Sequence, residues 1–546
     1  MTTIPALDAV SQVAAYHDRT KHHLDRYAAS LGRMDWTTKP EPFRTWRGCE
    51  RVPLPRPEAG LSPTYDRIVT GNVRASATMT RGTLGTLLYH ALALSAWKET
   101  SQRERWALRV NPSSGNLHPT EAYVLCGALP GLEAGLYHYA PEDHALERRV
   151  PRDLPMSWQA PGGGIVIVLS SILWREVWKY GERAFRYCQH DIGHAVAAID
   201  VSAAMLGWRV VPLTSLDHTT LAACAGLTDR DHEPEGEYPE LALAIAPVLP
   251  DQPTFVLPPW ARPTHASSLI GSPNRLSPNH HAWPVVVEVE RATRALPPSD
   301  WCSTVASPQT NTVPSTDRGL NAQTLVRQRR SAMAMDGNTS LTRDEFLLML
   351  ERTLPAYTTR PFSALAFDPQ VALLLFVHRV DDCEPGLYLL GRAAGHLDDL
   401  HAASTTANDW SRPAWAPAHL DLVHLADGDA RQTAKTICCH QDIAADGAFA
   451  VAMLARFQPV LSAGGPGMYR RLFWECGAIG QVLYLEAEAA SPPDRLMRAT
   501  GIGCFFDDEV HALLGFTDQR WQSLYHFTVG GPVGDTRLVT APAYDG

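Results

Sequence analysis

Several features are absent from this 546-residue chain, and each absence removes a class of function. No apolar run comes near the about 20 residues of a membrane-spanning helix; the most apolar stretches, such as 165–169 and 371–377, are strand-sized. The stretch from Met1 to Gln12 lacks the basic start and apolar core of a secretory signal, so a cytoplasmic protein is expected. No block of lysine and arginine stands out, and 48 basic against 58 acidic residues leave a net charge of −10. That balance argues against nucleic acid or an anionic membrane as partner, although a few arginines suffice for one phosphate. The ten cysteines form no tandem C-x-x-C pattern, so reduced thiols are expected rather than a disulfide frame. Cys438-Cys439-His440 reads as buried thiols.

What is present is a globular composition, 45% hydrophobic and 19% charged, long enough for two domains. It is also a repeat. Glu133, Gly135, Leu136 and Tyr137 recur as Glu384, Gly386, Leu387 and Tyr388, each group preceded by an apolar strand-like run. The stretch Phe185-Arg186-Tyr187-Cys188-Gln189-His190-Asp191-Ile192-Gly193 resembles Tyr469-Arg470-Arg471-Leu472-Phe473-Trp474-Glu475-Cys476-Gly477, and both enter long helical patterns. Upstream, Arg74-Ala75-Ser76-Ala77 resembles Arg329-Arg330-Ser331-Ala332. Matches in the same order divide the chain into a first domain at 1–260, a proline-rich linker at 261–322 and a second domain at 323–546. Periodicity predicts helices at 84–97, 185–206, 343–352 and 468–490, and strands at 122–125, 165–170, 241–246 and 371–377, an α+β pattern in each copy.

The densest local signal is Asn111-Pro112-Ser113-Ser114-Gly115-Asn116-Leu117-His118-Pro119, which gathers hydroxyls, amides and a glycine between prolines. Such a loop can offer donors to an anion or a polar ring edge, or simply cap a helix beginning at Pro119. This segment resembles the flavin loop of the FMN-dependent nitroreductase superfamily. The run Lys179-Tyr180-Gly181-Glu182-Arg183-Ala184-Phe185-Arg186-Tyr187, continuing to Asp191-Ile192-Gly193-His194, is similar to the signature of its SagB/ThcOx-type dehydrogenase branch, as is Tyr16-His17-Asp18-Arg19-Thr20-Lys21-His22-His23.

The resemblance implies a nitroreductase-like α+β fold, duplicated in tandem and closed as an intramolecular pseudo-dimer, with FMN at the seam. It implies phosphate contacts from Arg329, Arg330, Ser331 and Arg537, and loop contacts from Pro112, Ser113, Ser114 and Asn116. Backbone at Gly501, Ile502 and Gly503 would face the flavin ring. The second copy has no such loop around Arg360-Pro361-Phe362-Ser363-Ala364-Leu365, so one composite site and one FMN per monomeric pseudo-dimer are expected; higher oligomers stay open. Lys179 and Tyr180 fall where the branch carries a Lys-Tyr pair; a lysine with a lowered pKa, or a tyrosine beside a cation, could take a proton while a hydride leaves to flavin. Aligning Gly193 with Gly477 sets Ala463 and Gly464 opposite this pair. The implied reaction is two-electron oxidation of a peptide-derived or small-molecule substrate such as an azoline, with a carrier or cyclodehydratase as a possible partner. The superfamily alternative is nitro, quinone or enone reduction by NAD(P)H, and the missing G-x-G-x-x-G fingerprint does not count against it.

Two rival readings come from the residues themselves. Lys179, Glu182, Arg183 and Arg186 could pair along one helix face, a structural role. His190 and His194, four apart with Asp191 between, approximate a zinc-hydrolase helix, but their counterparts Trp474 and Ala478 cannot bind metal, and no metal is expected. A non-catalytic scaffold is the remaining option.

Overall fold

In the computed structural model, the described residues are 8–57, 62–73, 76–153, 158–227, 233–262, 269–302, 317–355, 360–492 and 494–544. Each copy is one antiparallel sheet packed on one long helix. The first sheet runs Glu50–Pro53, Ala145–Arg148, Gly135–Ala140, Thr120–Cys126, Ile165–Ile172, Glu237–Ala246, Arg209–Pro212. The second runs Leu422–Asp427, Gly386–Leu390, Val371–Val377, Phe449–Arg456, Trp521–Gly530, Arg498–Ile502. Apart from the first sheet's extra edge strand, the orders correspond strand for strand. Even the irregularities match: register slips between Pro239 and Leu241 in one copy and between Ser523 and Leu524's neighbour Tyr525 in the other. The central strands Ile165–Ile172 and Val371–Val377 are apolar on both faces because both are covered, which is why they read as unbroken runs.

The two central helices, Ala184–Met205 and Met468–Ala489, are the same length, almost wholly buried, and cross each other. Glycine makes the crossing possible. A Cβ on Gly193 would fall onto the Trp474 carbonyl oxygen, and a Cβ on Gly477 onto the His190 carbonyl oxygen. His190 and Trp474 occupy equivalent positions, so the contact is reciprocal, as a two-fold interface requires. A second reciprocal pair marks the same pseudo-axis: Tyr65 N–H donates to Leu320 O at 2.9 Å, and Ala322 N–H to Pro63 O at 3.4 Å. Arg74 lies outside the described residues.

The linker is partly built into the core. Its helix Pro284–Ala292 buries Val286, Val289 and Glu290, and Glu290 with Glu240 holds Arg470. Its segments at 263–268 and 303–316 lie outside the described residues. Three of the expected helices are found within a residue or two of their predicted bounds. The fourth is cut short. Arg81–Ala91 is helical, but Leu94–Thr100 is a strand, paired with Arg105–Arg109 on one side and with the C-terminal strand Leu538–Ala541 on the other. That long-range pairing overrides the local helical period.

Candidate active site

Where the copies meet, a cavity of about 1340 Å³ opens, with walls from both. The first copy supplies the 111–116 loop, Lys179, Tyr180, Tyr187, Asp191 and His194. The second supplies Arg329–Ser331 and Gly501–Cys504, with Tyr484 and Tyr525. Every sequence-predicted site residue except Arg537 lines it. Its volume exceeds the roughly 300–1,000 Å³ of a single small-ligand pocket, leaving room for two bound molecules.

The loop does not cap a helix; Pro119 leads into the strand Thr120–Cys126. Its polar groups are largely committed within the protein, contrary to the expectation that Ser113, Ser114 and Asn116 offer theirs outward. Ser114 N–H and Oγ–H both donate to Asp191 Oδ1 at 3.0 Å. Ser113 Oγ accepts from His118 N–H at 2.8 Å, and Asn116 Nδ2 donates to Ala107 O at 2.8 Å. Asn111, buried at the cavity wall, keeps its Oδ1 without a hydrogen-bond partner. Asp191 is therefore a cavity residue that anchors the loop, and burial raises its pKa to about 7. Its counterpart Glu475 makes the same backbone anchor to Gln370 N–H but is also paired with Arg392, a partner that Asp191 lacks.

The opposite wall is cationic. Arg329 is buried, stacked over the Tyr484 ring at 4.9 Å, and donates from Nη2 to Arg109 O at 3.1 Å, while its Nε has no partner. Arg330 donates only to carbonyls, of Arg327, Arg329 and Ser95. Neither forms an ion pair among the described residues. Burial, together with neighbouring arginines 329, 498 and 327, pulls the Arg330 pKa down to about 10. Buried charge without a counter-ion is costly, and an anion bound here would relieve it. Ser331 pairs with the edge strand Arg498–Ile502 through Ala499, which places the arginines beside Gly501. A Cβ on Gly501 would overlap the Tyr525 hydroxyl, and one on Gly503 the Tyr187 ring, so both positions need glycine to leave this backbone edge open.

Lys179 and Tyr180 end the helix Leu173–Tyr180 and lie directly on the loop: a Cβ on Gly115, already at φ +60°, would sit 2.6 Å from Tyr180 OH and 3.0 Å from Lys179 Nζ. Burial lowers the Lys179 pKa, and Lys39 adds to this; Glu176 opposes it. Glu176 is itself buried with neither carboxyl oxygen hydrogen-bonded, and burial raises its pKa well above the usual carboxylate range. A neutral Glu176 does little to hold the lysine charged. Tyr180 packs against Tyr187 with tilted rings whose centroids are 4.2 Å apart, and burial pushes its phenol up, so the tyrosine is a donor and the lysine is the group suited to accept a proton. The neighbours of Lys179 in sequence pair elsewhere: Glu182 with Arg19, and Arg183 and Arg186 with Asp507. The expected ion-paired helix face does not form.

Arg537 does not join the phosphate side. Its exposed side chain pairs with Asp535 at 2.9 Å, although its neighbours Asp535, Leu538 and Thr540 do line the cavity. His190 stacks on Tyr525 at 3.9 Å with Nε2 at 3.1 Å from Leu524 O, and His194 Nε2 lies 3.4 Å from the Tyr525 hydroxyl. Both imidazoles are thus engaged in packing, and among the described residues no group of three or more His, Cys, Asp or Glu side chains is arranged to hold a metal ion.

At the pseudo-symmetric position the seam is built differently. The helix Phe457–Gly464 ends where Leu173–Tyr180 does, but Gly464 faces the linker's Trp301, whose ring would lie 3.0 Å from a Cβ there. Arg360 is tied to Asp200, the counterpart of Tyr484. A cavity of about 780 Å³ remains, lined by Val210–Ser215 and by Leu296, Pro297, Ser299 and Cys302 of the linker.

No family model matches the chain. It is 30% identical over 135 residues to a protein of Methanocaldococcus jannaschii described as a nitroreductase, covering 23% of this chain and 65% of that one. It is 33% identical over 110 residues to the trifolitoxin-processing protein TfxB of Rhizobium leguminosarum bv. trifolii, covering 18% of this chain and 29% of that one. The chain thus spans less than two thirds of either curated relative. A crystal structure from Anabaena variabilis, also described as a nitroreductase, superposes with a TM-score of 0.66 at 22% identity, over 96% of this chain and 99% of the other. The fold is the nitroreductase fold, in α+β form and carried twice. Within that class, the likenesses in sequence fit the SagB-type branch.

Proposed function

We propose that the chain is an FMN-dependent dehydrogenase that removes two electrons from a peptide-derived substrate such as an azoline ring, in natural-product biosynthesis. One observation carries this reading: a single cavity whose one wall holds a lysine of lowered pKa and whose other wall holds two arginines that form no ion pair among the described residues, the Glu488 carboxylate of that wall being paired with Arg498. The donor set fits FMN. Arg329, Arg330 and Ser331 would hold its phosphate, the backbone at Gly501, Ile502 and Gly503 would lie along its ring, and Pro112, Ser113, Ser114 and Asn116 would shape the facing wall. Bound there, the flavin supplies a two-electron acceptor.

The chain's own residues do the rest. Lys179 Nζ receives the proton leaving the substrate carbon, Tyr180 keeps its proton and orients the substrate, and the tyrosine-lined wall excludes water. Dioxygen is the proposed final electron acceptor. The similarity to a trifolitoxin-processing protein supports peptide chemistry; a cyclodehydratase or carrier is the proposed partner. The division into 1–260, 261–322 and 323–546 assigns the base and loop to one copy, the phosphate grip to the other, and one FMN to each chain.

A second reading, reduction of nitro, quinone or enone groups by NAD(P)H, is favoured by the nitroreductase-type relative. The test combines a visible spectrum with turnover. The purified chain should carry about one flavin, and Lys179→Ala should keep that flavin while losing azoline oxidation. Loss of flavin in this variant, or unchanged turnover, overturns the assignment of the base. Oxidation of NAD(P)H by the wild-type chain without azoline turnover favours the second reading.

A further inference from the structure

We infer that Cys439 and Cys504 form a second reactive site, a dithiol that reduces hydroperoxides and closes to a disulfide at the cavity wall. Their sulfurs lie 2.8 Å apart, although both cysteines are free. Cys504 directly follows the glycine edge and lines the cavity, and both residues are half-buried, within reach of solvent. The segments that carry them are laced together. Phe506 N–H donates to Ile437 O at 2.7 Å, and Gln441 Nε2 donates to Cys438 O at 2.8 Å and to Cys504 O at 3.0 Å. Cys439 and His440 both hold left-handed backbone, φ +53° and +59°, a conformation uncommon outside glycine that turns the Cys439 sulfur toward its partner.

A third group completes the site. His22 Nδ1 accepts the Ala28 N–H at 2.9 Å, which fixes the imidazole proton on Nε2 and leaves it for the Cys504 sulfur. His22 and the nearby Arg183 favour the thiolate form of Cys504, whereas Cys439 is the raised member of the pair. One cysteine is thus the thiolate nucleophile and its neighbour the resolving thiol.

The chemistry balances. The Cys504 thiolate attacks the distal oxygen of a hydroperoxide and the O–O bond breaks. Cys504 becomes a sulfenic acid, and the departing alkoxide or hydroxide takes up the proton that Cys504 had released. The Cys439 thiol then attacks the Cys504 sulfur, forming the S–S bond and releasing water. The net change is two thiols plus a hydroperoxide to a disulfide, an alcohol or water, and one further water; an external thiol reverses it by exchange. If dioxygen is the acceptor proposed above, hydrogen peroxide is released beside this pair, and only that source rests on the proposed function.

The test treats the purified chain with hydrogen peroxide, alkylates it with iodoacetamide and maps tryptic peptides, with and without bound flavin. Cys49 serves as internal reference, since burial pushes its thiol up to about 11. The expected result is a Cys439–Cys504 cross-linked peptide, forming roughly 10-fold or more faster than Cys49 oxidises and reversed by dithiothreitol. Cys439→Ser should leave a Cys504 sulfenic acid that dimedone traps, and Cys504→Ser should leave Cys439 reduced. Both cysteines still alkylated when Cys49 has oxidised, or Cys504 passing to sulfinic acid without a cross-link, overturns the proposal. Colourless protein that still forms the disulfide overturns the flavin reading and leaves the dithiol intact.

Discussion

Replacing Arg330 by glutamine separates the cost of the cationic wall from its use. The Arg330 guanidinium reaches only carbonyl oxygens, of Arg327 at 2.8 Å, Arg329 at 2.7 Å and Ser95 at 3.3 Å. Its pKa falls to about 10 from 12.5, through burial first and repulsion from Arg329, Arg498 and Arg327 next. The sign follows from which state binds the proton more tightly. A base whose folded pKa lies below its unfolded value costs stability at every pH under the folded value, and the cost fades only as pH rises from about 10 to 12.5. At pH 7 the cost is present in full, so the ligand-free Arg330→Gln protein should melt higher than wild type.

With FMN the sign reverses. A hydrogen bond to a charged group contributes about 1.5–3 kcal/mol, so losing it should weaken FMN by about 10-fold to about 150-fold. Riboflavin, which has no phosphate, should bind both proteins alike. Fluorescence-quenching titrations with both flavins, beside calorimetric melting of the ligand-free proteins, read all the quantities. Equal weakening of FMN and riboflavin, or a lower melting temperature for the ligand-free variant, would refute the claim that this wall is a phosphate site waiting for its charge.

Four other outcomes follow from the same geometry. Gly193→Ala and Gly477→Ala should each destabilise by about 1–3 kcal/mol or more, because each new methyl meets a carbonyl of the crossing helix; denaturant unfolding that finds one of them harmless contradicts the reciprocal crossing. Asp191 has its pKa raised to about 7, so the folded chain binds the extra proton and this group lowers stability as pH climbs from about 4 to about 7; Asp191→Asn should flatten that part of the stability profile by an amount on the order of a few kcal/mol. Gly115→Ala should displace the Tyr180 hydroxyl, and at φ +60° adds about 1 kcal/mol of backbone strain; the expected readout is a drop in kcat with flavin still bound. Arg329→Ala should reduce the flavin that co-purifies with the chain, whereas Arg537→Ala should not, since that side chain is exposed, is paired with Asp535 and does not line the cavity.

Much of the architecture was legible because it is written twice. The motif at Glu133–Tyr137 and its echo at Glu384–Tyr388 fall on equivalent strands, and the equivalence of Gly193 and Gly477 was enough to bring Ala463 and Gly464 opposite Lys179 and Tyr180. The strand at Leu94–Thr100 was missed because the helical period of 84–91 runs on into it; one of its partners, Arg105–Arg109, is local, and the other, Leu538–Ala541, lies far along the chain. Asp191 and Glu475 correspond in the repeat, and that correspondence does not reveal that only one of them faces the cavity. The difference lies in Arg392, which neutralises one acid and has no equivalent at the other. Cys504 carried no sequence signal, since its partner Cys439 is brought to it by the fold.

The linker's Trp301 against Gly464 and its Glu290 against Arg470 show what joining the copies permits. In a dimer of identical subunits any gene change is felt at both seams, so neither can be altered while its twin is spared. A single continuous chain escapes that constraint. One seam can keep a lysine, a tyrosine and arginines without ion pairs, while its twin is rebuilt with tryptophan and glutamate. Dilution also cannot part the two walls of the surviving chamber, because their meeting is intramolecular.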